Sequence, residues 1–225
     1  MNKRIICFSL LALALLVFSG VVMAEGVLVF SDSFEEYAVG TEPNGWTLVH
    51  PTAGEVVDSS FVSIPDGNAA LRLFSTPNDN GEVFIDIPEV KKGKLVVDFY
   101  QPSSSRDNIN FEVRNGVSRV VGVFITGSGN VRPRADGVQT ANLINLRNDQ
   151  WHTFVIRWDV DAKTFQVAYM EGDKEVAIAD AGKTEFGVDP AGIGLSVSRI
   201  AFNVTRRDPG KEAFIDNIRV YDLAK

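Results

Sequence analysis

Cysteine and histidine are almost missing from this chain. Its 225 residues include one cysteine, Cys7, and two histidines, His50 and His152. Cys7 sits in an opening segment with a cationic start (Met1-Asn2-Lys3-Arg4), an apolar run from Ile5 to Phe18 and a small-residue end at Val22-Met23-Ala24. That layout is expected of a secretory signal peptide, so residues 1–24 are read as the signal and 25–225 as one exported domain. An uncleaved anchor is the rival reading, because Ile5 to Met23 just reaches bilayer length, although Ser9, Ser19 and Gly20 weaken the run. After cleavage 201 residues remain, with no thiol and a net charge of −9. Disulfides, cysteine-held metals and a cysteine nucleophile are thereby excluded. The acidic balance argues against nucleic acid, and no membrane contact is expected once the signal is gone. A chain of this length buries an ample core and is expected to form a single domain, periplasmic or extracellular, of undetermined oligomeric state.

Sustained helical periodicity and an internal repeat are also lacking. Short alternating runs bounded by Gly, Pro, Asn or Asp recur instead, which is the pattern of half-buried antiparallel strands. They run from Val27 to Phe30, Trp46 to His50, Ala69 to Ser75, Glu82 to Ile87, Leu95 to Tyr100, Ile109 to Asn115 and Val120 to Thr126. Further runs are Trp151 to Asp159, Thr164 to Met170, Lys174 to Ala179, Ile200 to Val204 and Phe214 to Tyr221. The fold class is therefore all-β, an antiparallel sandwich. Alternation puts Leu95, Val97 and Phe99 in the core with Asp98 and Tyr100 outside, and likewise places Asn110, Glu112 and Arg114 on a wet face. Gly127-Ser128-Gly129 reads as a hairpin turn, since no helix follows to make a phosphate loop. Trp158 is expected in the core, Trp151 on the opposite face, and Trp46 pinning the first loop to the core.

Two end segments carry a resemblance. Phe30-Ser31-Asp32-Ser33-Phe34-Glu35 with Gly40 and Pro43-Asn44-Gly45-Trp46, and the closing Phe214-Ile215-Asp216-Asn217-Ile218-Arg219-Val220, together resemble the concanavalin-A-like lectin/glucanase group of jelly-roll sandwiches. Gly67 to Leu73 is similar to the strand that follows the first loop in the same group, and Trp151 to Ile156 to the strand before a hairpin with Asp159 and Asp161, so the likeness spans nearly the whole mature chain. It implies a jelly roll of the carbohydrate-binding-module or laminin-G-like kind, a group that also holds hydrolases and lyases. It further implies a structural calcium shared by Asp32, Glu35 and Asp216, with backbone oxygens from the turn Asp66 to Asn68. The alternative is that Asp32 and Asp216 are ordinary strand-end acids bonded to loop amides.

Catalytic patterns are scarce. A glycosidase needs two facing carboxylates, and the nearest candidates, Glu82 with Asp86 or Asp98 with Glu112, do not form the Glu-x-Asp-x-x-Glu arrangement of laminarinase-type relatives. Glu112-Val113-Arg114 resembles part of the Arg-x-Glu-x-Arg strand of alginate lyases, but Asn110 replaces the first arginine. There is no Gly-x-Ser-x-Gly elbow and no His-Glu-x-x-His. One enrichment stands out. Residues 101–147 hold six arginines, no lysine and three acids inside a strongly acidic protein. Arginine makes bidentate bonds to carboxylates and hydroxyls, so a face carrying Asn110, Glu112, Arg114, Arg132 and Arg134, with Tyr100 as a stacking ring, is expected to bind an acidic or polyhydroxylated glycan. The competing account pairs these arginines with acids of neighbouring strands. The sequence thus favours a non-catalytic, secreted carbohydrate-binding protein with calcium, ahead of a lyase or hydrolase on the same face or an envelope protein-interaction domain.

Overall fold

Period-two alternation gives each strand one apolar and one polar face, and two such strand sets must bury their apolar faces against each other. The computed structural model describes residues 26–104, 108–205 and 211–225. The expected signal at 1–24 lies outside them, as do Arg106 and the turn Asp208-Pro209-Gly210. Strands are numbered along the chain. One sheet has the order β14 (Lys174–Ala177), β13 (Thr164–Glu171), β12 (Trp151–Asp159), β6 (Lys92–Tyr100), β17 (Glu212–Asp222), β4 (Ala69–Phe74) and β3 (Gly54–Asp58). In it β1 (Val27–Asp32) also pairs with β17, and β15 (Glu185–Gly187) with β13. The second runs β10 (Val138–Gln139), β9 (Asn130–Ala135), β8 (Ser118–Ile125), β7 (Ile109–Asn115), β16 (Val197–Val204), β5 (Gly81–Val90) and β2 (Thr47–Leu48), with β11 (Ile144–Asn145) on β9. The strand pairs are antiparallel, as the alternation requires.

Aromatic rings join the two sheets. Phe99 of β6 meets Phe111 of β7 at 5.3 Å between centroids and Phe154 of β12 at 5.2 Å, and Phe111 meets Phe202 of β16 at 5.7 Å. Each ring is at most 2% exposed, so each contributes about 2–3 kcal/mol of burial. Trp158 is in the core and Trp46 packs on Phe34 and Phe202, as the sequence implies. β7 and β12 have the bounds the alternation gives, and residues 126–129 turn between β8 and β9. The pattern does not reveal β3, which is short, or β9, where Pro133 argues against a strand.

The sixth and seventh strands lie in different sheets. Tyr100 and Asp98 therefore point to one side of the sandwich while Asn110, Glu112 and Arg114 point to the other, with the Phe99–Phe111 contact between them. The single ligand face that the sequence suggests, with Tyr100 beside Glu112 and Arg114, does not form. The same separation dissolves the candidate carboxylate pair Asp98 and Glu112.

One irregularity sets up the end of the molecule. β17 shares one edge between two partners: β4 pairs with 212–215 and β1 with 218–222. At the changeover the register against β6 shifts between Asp216 and Arg219, and Asn217 takes φ 50°. This bulge leaves Asp216 at the point where the loop after β1 and the loop before β4 converge.

Candidate functional site

The outer face of the eight-stranded sheet consists of three cross-strand rows. The first is Arg132, Phe124, Asn110, Asn203 and Glu82. The second is Gly122, Glu112, Ala201 and Phe84, and the third is Arg119, Arg114, Arg199 and Asp86. Small residues on both sides of Glu112 leave room for arginines to close over it. The Arg119 stem crosses Gly122, where a Cβ would stand 2.9 Å from Arg119 Cδ.

Ion pairs organise this face. Arg114 Nε donates to Glu112 Oε2 at 2.6 Å and Nη1 to Glu82 Oε1 at 2.7 Å, while Arg119 Nη2 reaches Glu112 Oε1 at 2.6 Å. Burial works against the Arg114 charge, but the bonds and charges of Glu82 and Glu112 outweigh it and hold the guanidinium above its ordinary range. Glu112 is 3% exposed, so it orients two arginines instead of presenting a carboxylate to solvent. Asn203 Nδ2 donates to Glu82 Oε2 at 3.0 Å and Asn110 Nδ2 to Asn203 Oδ1 at 3.3 Å. Arg134 Nε donates to Asp189 Oδ2 at 2.9 Å. The arginine-rich segment is thus balanced by Glu82, Glu112 and Asp189.

The balance is incomplete around one ring. Among the described residues three buried side-chain polar atoms have no hydrogen-bond partner: Asn110 Oδ1, Arg119 Nε and Arg132 Nε. All three belong to neighbours of Phe124. Asn110 and Arg132 are its cross-strand partners, and the Arg119 guanidinium lies 5.7 Å from its centroid. Phe124 is half-buried. Of the residues predicted to bind, the structure brings together Asn110, Glu112, Arg114 and Arg132 and puts Arg134 beside them. Sequence reasoning missed Phe124, Phe84, Asn203 and Asp189; outward parity next to Val123 and Val83 is the only signal for the two phenylalanines.

Tyr100 belongs elsewhere. On the outer face of the nine-stranded sheet it packs between Trp151 and Phe214, at 5.8 and 5.9 Å, together with Val57, Val62 and Ile64. Residues 59–68 cross this patch, and Trp151 Nε1 donates to the Ser63 carbonyl. Burial, helped by Asp149, raises the Tyr100 phenol above its ordinary range. It fastens a loop and is not an open stacking surface.

The loop it fastens delivers Asp66 to the bulge. There Asp216, 1% exposed, stands directly across from Asp98. Burial, together with the charges of Asp98, Glu35 and Asp66, pushes the Asp216 carboxyl up to about 7, against a smaller opposing effect of the Asn217 backbone amide. Glu35 Oε1 accepts the amides of Asn68 and Ala69 at 2.7 and 2.9 Å, and Gly67, at φ +96°, passes so close that a Cβ would lie 2.2 Å from that oxygen. A pocket of about 550 Å³ opens beside the cluster, lined by Asp32, Asp66, Asp98 and Asn217 among others. Asp32 is committed to the first loop: Oδ1 accepts Phe34 N at 2.8 Å, and Oδ2 accepts Tyr37 Oη and Trp46 Nε1 at 3.0 and 2.9 Å. Of the expected set Asp32, Glu35 and Asp216, the last has Asp98, Glu35 and Asp66 as its charged neighbours, while Asp32 lines the same pocket with its oxygens bonded to the first loop. Among the described residues no three His, Cys, Asp or Glu side chains stand in a metal-ligating arrangement.

Both histidines serve structure. His50 Nε2 donates to the Asn80 carbonyl at 2.6 Å and His152 Nε2 to the Arg147 carbonyl at 2.7 Å. Burial lowers the His152 imidazole below its ordinary range.

No protein-family profile matches the sequence, and a search of curated proteins finds no significant relative. Solved structures do share its shape. A sialidase superposes over 88% of this chain at TM-score 0.63 and 15% identity, although the chain spans only 19% of that protein's length. The catalytic domain of a glycoside hydrolase family 131 protein from Coprinopsis cinerea superposes over 88% of this chain and 95% of its own at TM-score 0.61 and 11% identity. The exoplasmic/lumenal domain of VIP36 in its Ca2+-bound form superposes over 85% and 89% of the two chains at TM-score 0.52 and 12% identity. With two antiparallel sheets, β17 between β6 and β4, and these neighbours, the chain has the concanavalin-A-like jelly-roll fold.

Proposed function

We propose that this protein is an exported, non-catalytic carbohydrate-binding jelly roll that holds glycan on the outer face of its eight-stranded sheet. The observation that carries the reading is the ring of unsatisfied atoms around Phe124. A partly exposed aromatic ring offers the CH face of a sugar a stacking surface, and hydroxyl groups both donate and accept, which suits a carbonyl oxygen and two guanidinium N–H groups left without partners. Rotation of the half-buried Arg132 side chain brings its Nε–H to a ligand, while Arg119 stays on Glu112. The signal-like residues 1–24 support export. Glycosidase names among the structural neighbours, and a Man3GlcNAc-bound form of VIP36, agree with a sugar ligand.

Binding without turnover follows from how Glu112 is used. Each of its oxygens is held by an arginine, so neither is free to give a proton to a leaving group. His152 belongs to the other sheet, and His50, which lines a small pocket with Glu82 at the edge of this face, spends its Nε2 on the Asn80 carbonyl.

The acidic grouping at the bulge supports a structural calcium. No described lysine or arginine is paired with Asp216, Asp98, Glu35 or Asp66, and a buried carboxylate beside three others is stabilised by a cation. Since no three described carboxylates are already set to ligate a metal, Asp216, Glu35 and Asp66 would have to draw together around the ion, which would then tie the first loop to β17. It has no part in ligand chemistry.

A glycan array probed with and without calcium tests the reading, paired with Phe124→Ala. We expect array binding that Phe124→Ala weakens about tenfold, in line with roughly 1–1.5 kcal/mol for one aromatic contact. Absence of any glycan signal, or release of reducing ends from a bound polysaccharide, would overturn it.

A further inference from the structure

Charge is spread unevenly over the face around Phe124. Four of its described arginines are spent on acids: Arg114 on Glu82 and Glu112, Arg119 on Glu112, Arg134 on Asp189 and Arg199 on Asp86. Arg132 is the exception. Among the described residues no carboxylate pairs with it, and its Nε is buried without an acceptor. A guanidinium does not shed its proton to escape that state, and a buried donor without a partner is costly. The acids of the face leave this margin open to an anion. Glu112 and Asp189 are buried and held by arginines. Asp86, whose side chain is 66% exposed, stands on β5, and β8, β7 and β16 lie between it and β9. Four strand spacings are roughly 19 Å, about twice the distance over which physiological salt screens exposed charges. The open negative charge is thus at one side of the face and the unpaired positive charge at the other.

We propose, building on the reading of this face as a glycan site, that its ligand is an acidic polysaccharide whose uronate carboxylate seats on Arg132 while the sugar ring lies on Phe124. The fork of Nε–H and Nη–H takes both oxygens of a carboxylate in charge-assisted hydrogen bonds. The row supplies a second contact. Arg132 and Asn110 are the cross-strand partners of Phe124 on its two sides, and between them they leave one buried donor, Nε, and one buried acceptor, Oδ1, without partners. A uronate carries an acceptor-only group at one end of its ring and hydroxyl donors at the other, so one residue matches both. The two positions are two strand spacings apart, roughly 9–10 Å, a gap that a sugar ring with its substituents bridges once the side chains reach toward it. A neutral hexose puts a hydroxymethyl group where the carboxylate would be and leaves the Arg132 charge uncompensated. The carboxylate end of the ring therefore points toward β9, away from Asp86.

The test is calorimetric titration of the intact protein with trigalacturonate, neutral galactotriose and 6-sulfated galactotriose, for the wild type, Arg132→Met, Arg132→Lys and Phe124→Ala. We expect the wild type to prefer trigalacturonate over galactotriose by at least about tenfold, the gain from one charge-assisted pair. Arg132→Met should erase that preference and Arg132→Lys should keep part of it. Phe124→Ala should weaken both sugars and leave their ratio unchanged. Melting temperature supplies the second readout: Arg132 has no partner to lose, so Arg132→Met should melt with the wild type, and a clear fall makes Arg132 a structural residue and overturns the proposal. Equal wild-type affinity for the two sugars, or a preference that survives Arg132→Met, overturns the acidic ligand and leaves the Phe124 face standing where Phe124→Ala still weakens binding. Sulfated galactotriose bound as tightly as trigalacturonate overturns the carboxylate assignment. No binding of trigalacturonate overturns the proposal, and neutral glycans on the array then decide separately whether the face holds sugar.

Discussion

Replacing Asp216 with asparagine isolates the electrostatic load at the bulge. Asparagine keeps the shape and still accepts from the Asn217 amide, but it cannot ionise beside Asp98, Glu35 and Asp66. With the wild-type carboxyl pushed up to about 7 from an ordinary 3.8, the folded chain holds a proton across that interval that the unfolded chain has released. Stability attributable to this group is therefore highest below pH 3.8 and falls as pH rises through about 7. At 1.36 kcal/mol per pH unit the full loss is roughly 4 kcal/mol. The lowered carboxyls of Asp86 and Asp159 lose stabilisation in the opposite direction as pH falls through their folded values, so only the difference between wild type and variant is diagnostic. Urea unfolding with a chelator present, from pH 4 to pH 8, should give Asp216→Asn and wild type similar stability at the acid end. The variant should become more stable by several kcal/mol at pH 8. Adding calcium at pH 8 should reverse the order, because the wild type gains binding energy that the variant forfeits. Parallel pH profiles in chelator would refute the argument that Asp216 carries an uncompensated charge.

Other outcomes follow from the same geometry. Trp151→Ala removes the ring that holds Tyr100 and the Ser63 carbonyl, and should cost about 2–3 kcal/mol in urea unfolding while leaving glycan affinity on the Phe124 face unchanged. Arg114→Ala leaves Glu82 without its ion-pair partner and Glu112 with only Arg119, and should lower stability by about 3 kcal/mol. Tyr37 is pushed up to about 12 by burial and by the Asp32 carboxylate, so ultraviolet titration should show one tyrosine ionising far later than the free side chain. Asp32→Asn should bring that step down. Gly67→Ala puts a methyl group against Glu35 at positive φ and should cost about 1–3 kcal/mol, read as a lower melting temperature.

The fold was legible because alternation is a local property. Residues 109–115 and 151–159 show their strand bounds in the letters alone; Trp158 declares its burial by parity with Phe154 and Ile156, and Trp46 by its place after the turn Pro43-Asn44-Gly45. Pro133 hid β9 because a strand tolerates proline only where its missing N–H is not needed. The site was less legible. Asn110, Glu112 and Arg114 announce an outward face, but nothing in β7 says that Glu82 and Asn203 will stand beside them, since β5 and β16 reach that face through pairings of high sequence separation.

What sequence alone determined is therefore the all-β class and the facing of most strands. Tertiary structure decided which faces share a side. It parted Tyr100 from Glu112 by a whole core, brought Asp98 and Asp66 to the acidic grouping around Asp216, and left Phe124 with unsatisfied neighbours. The physical reason is that alternation specifies in or out for a strand, whereas the sheet it joins depends on loop closure and edge pairing between segments far apart in the chain.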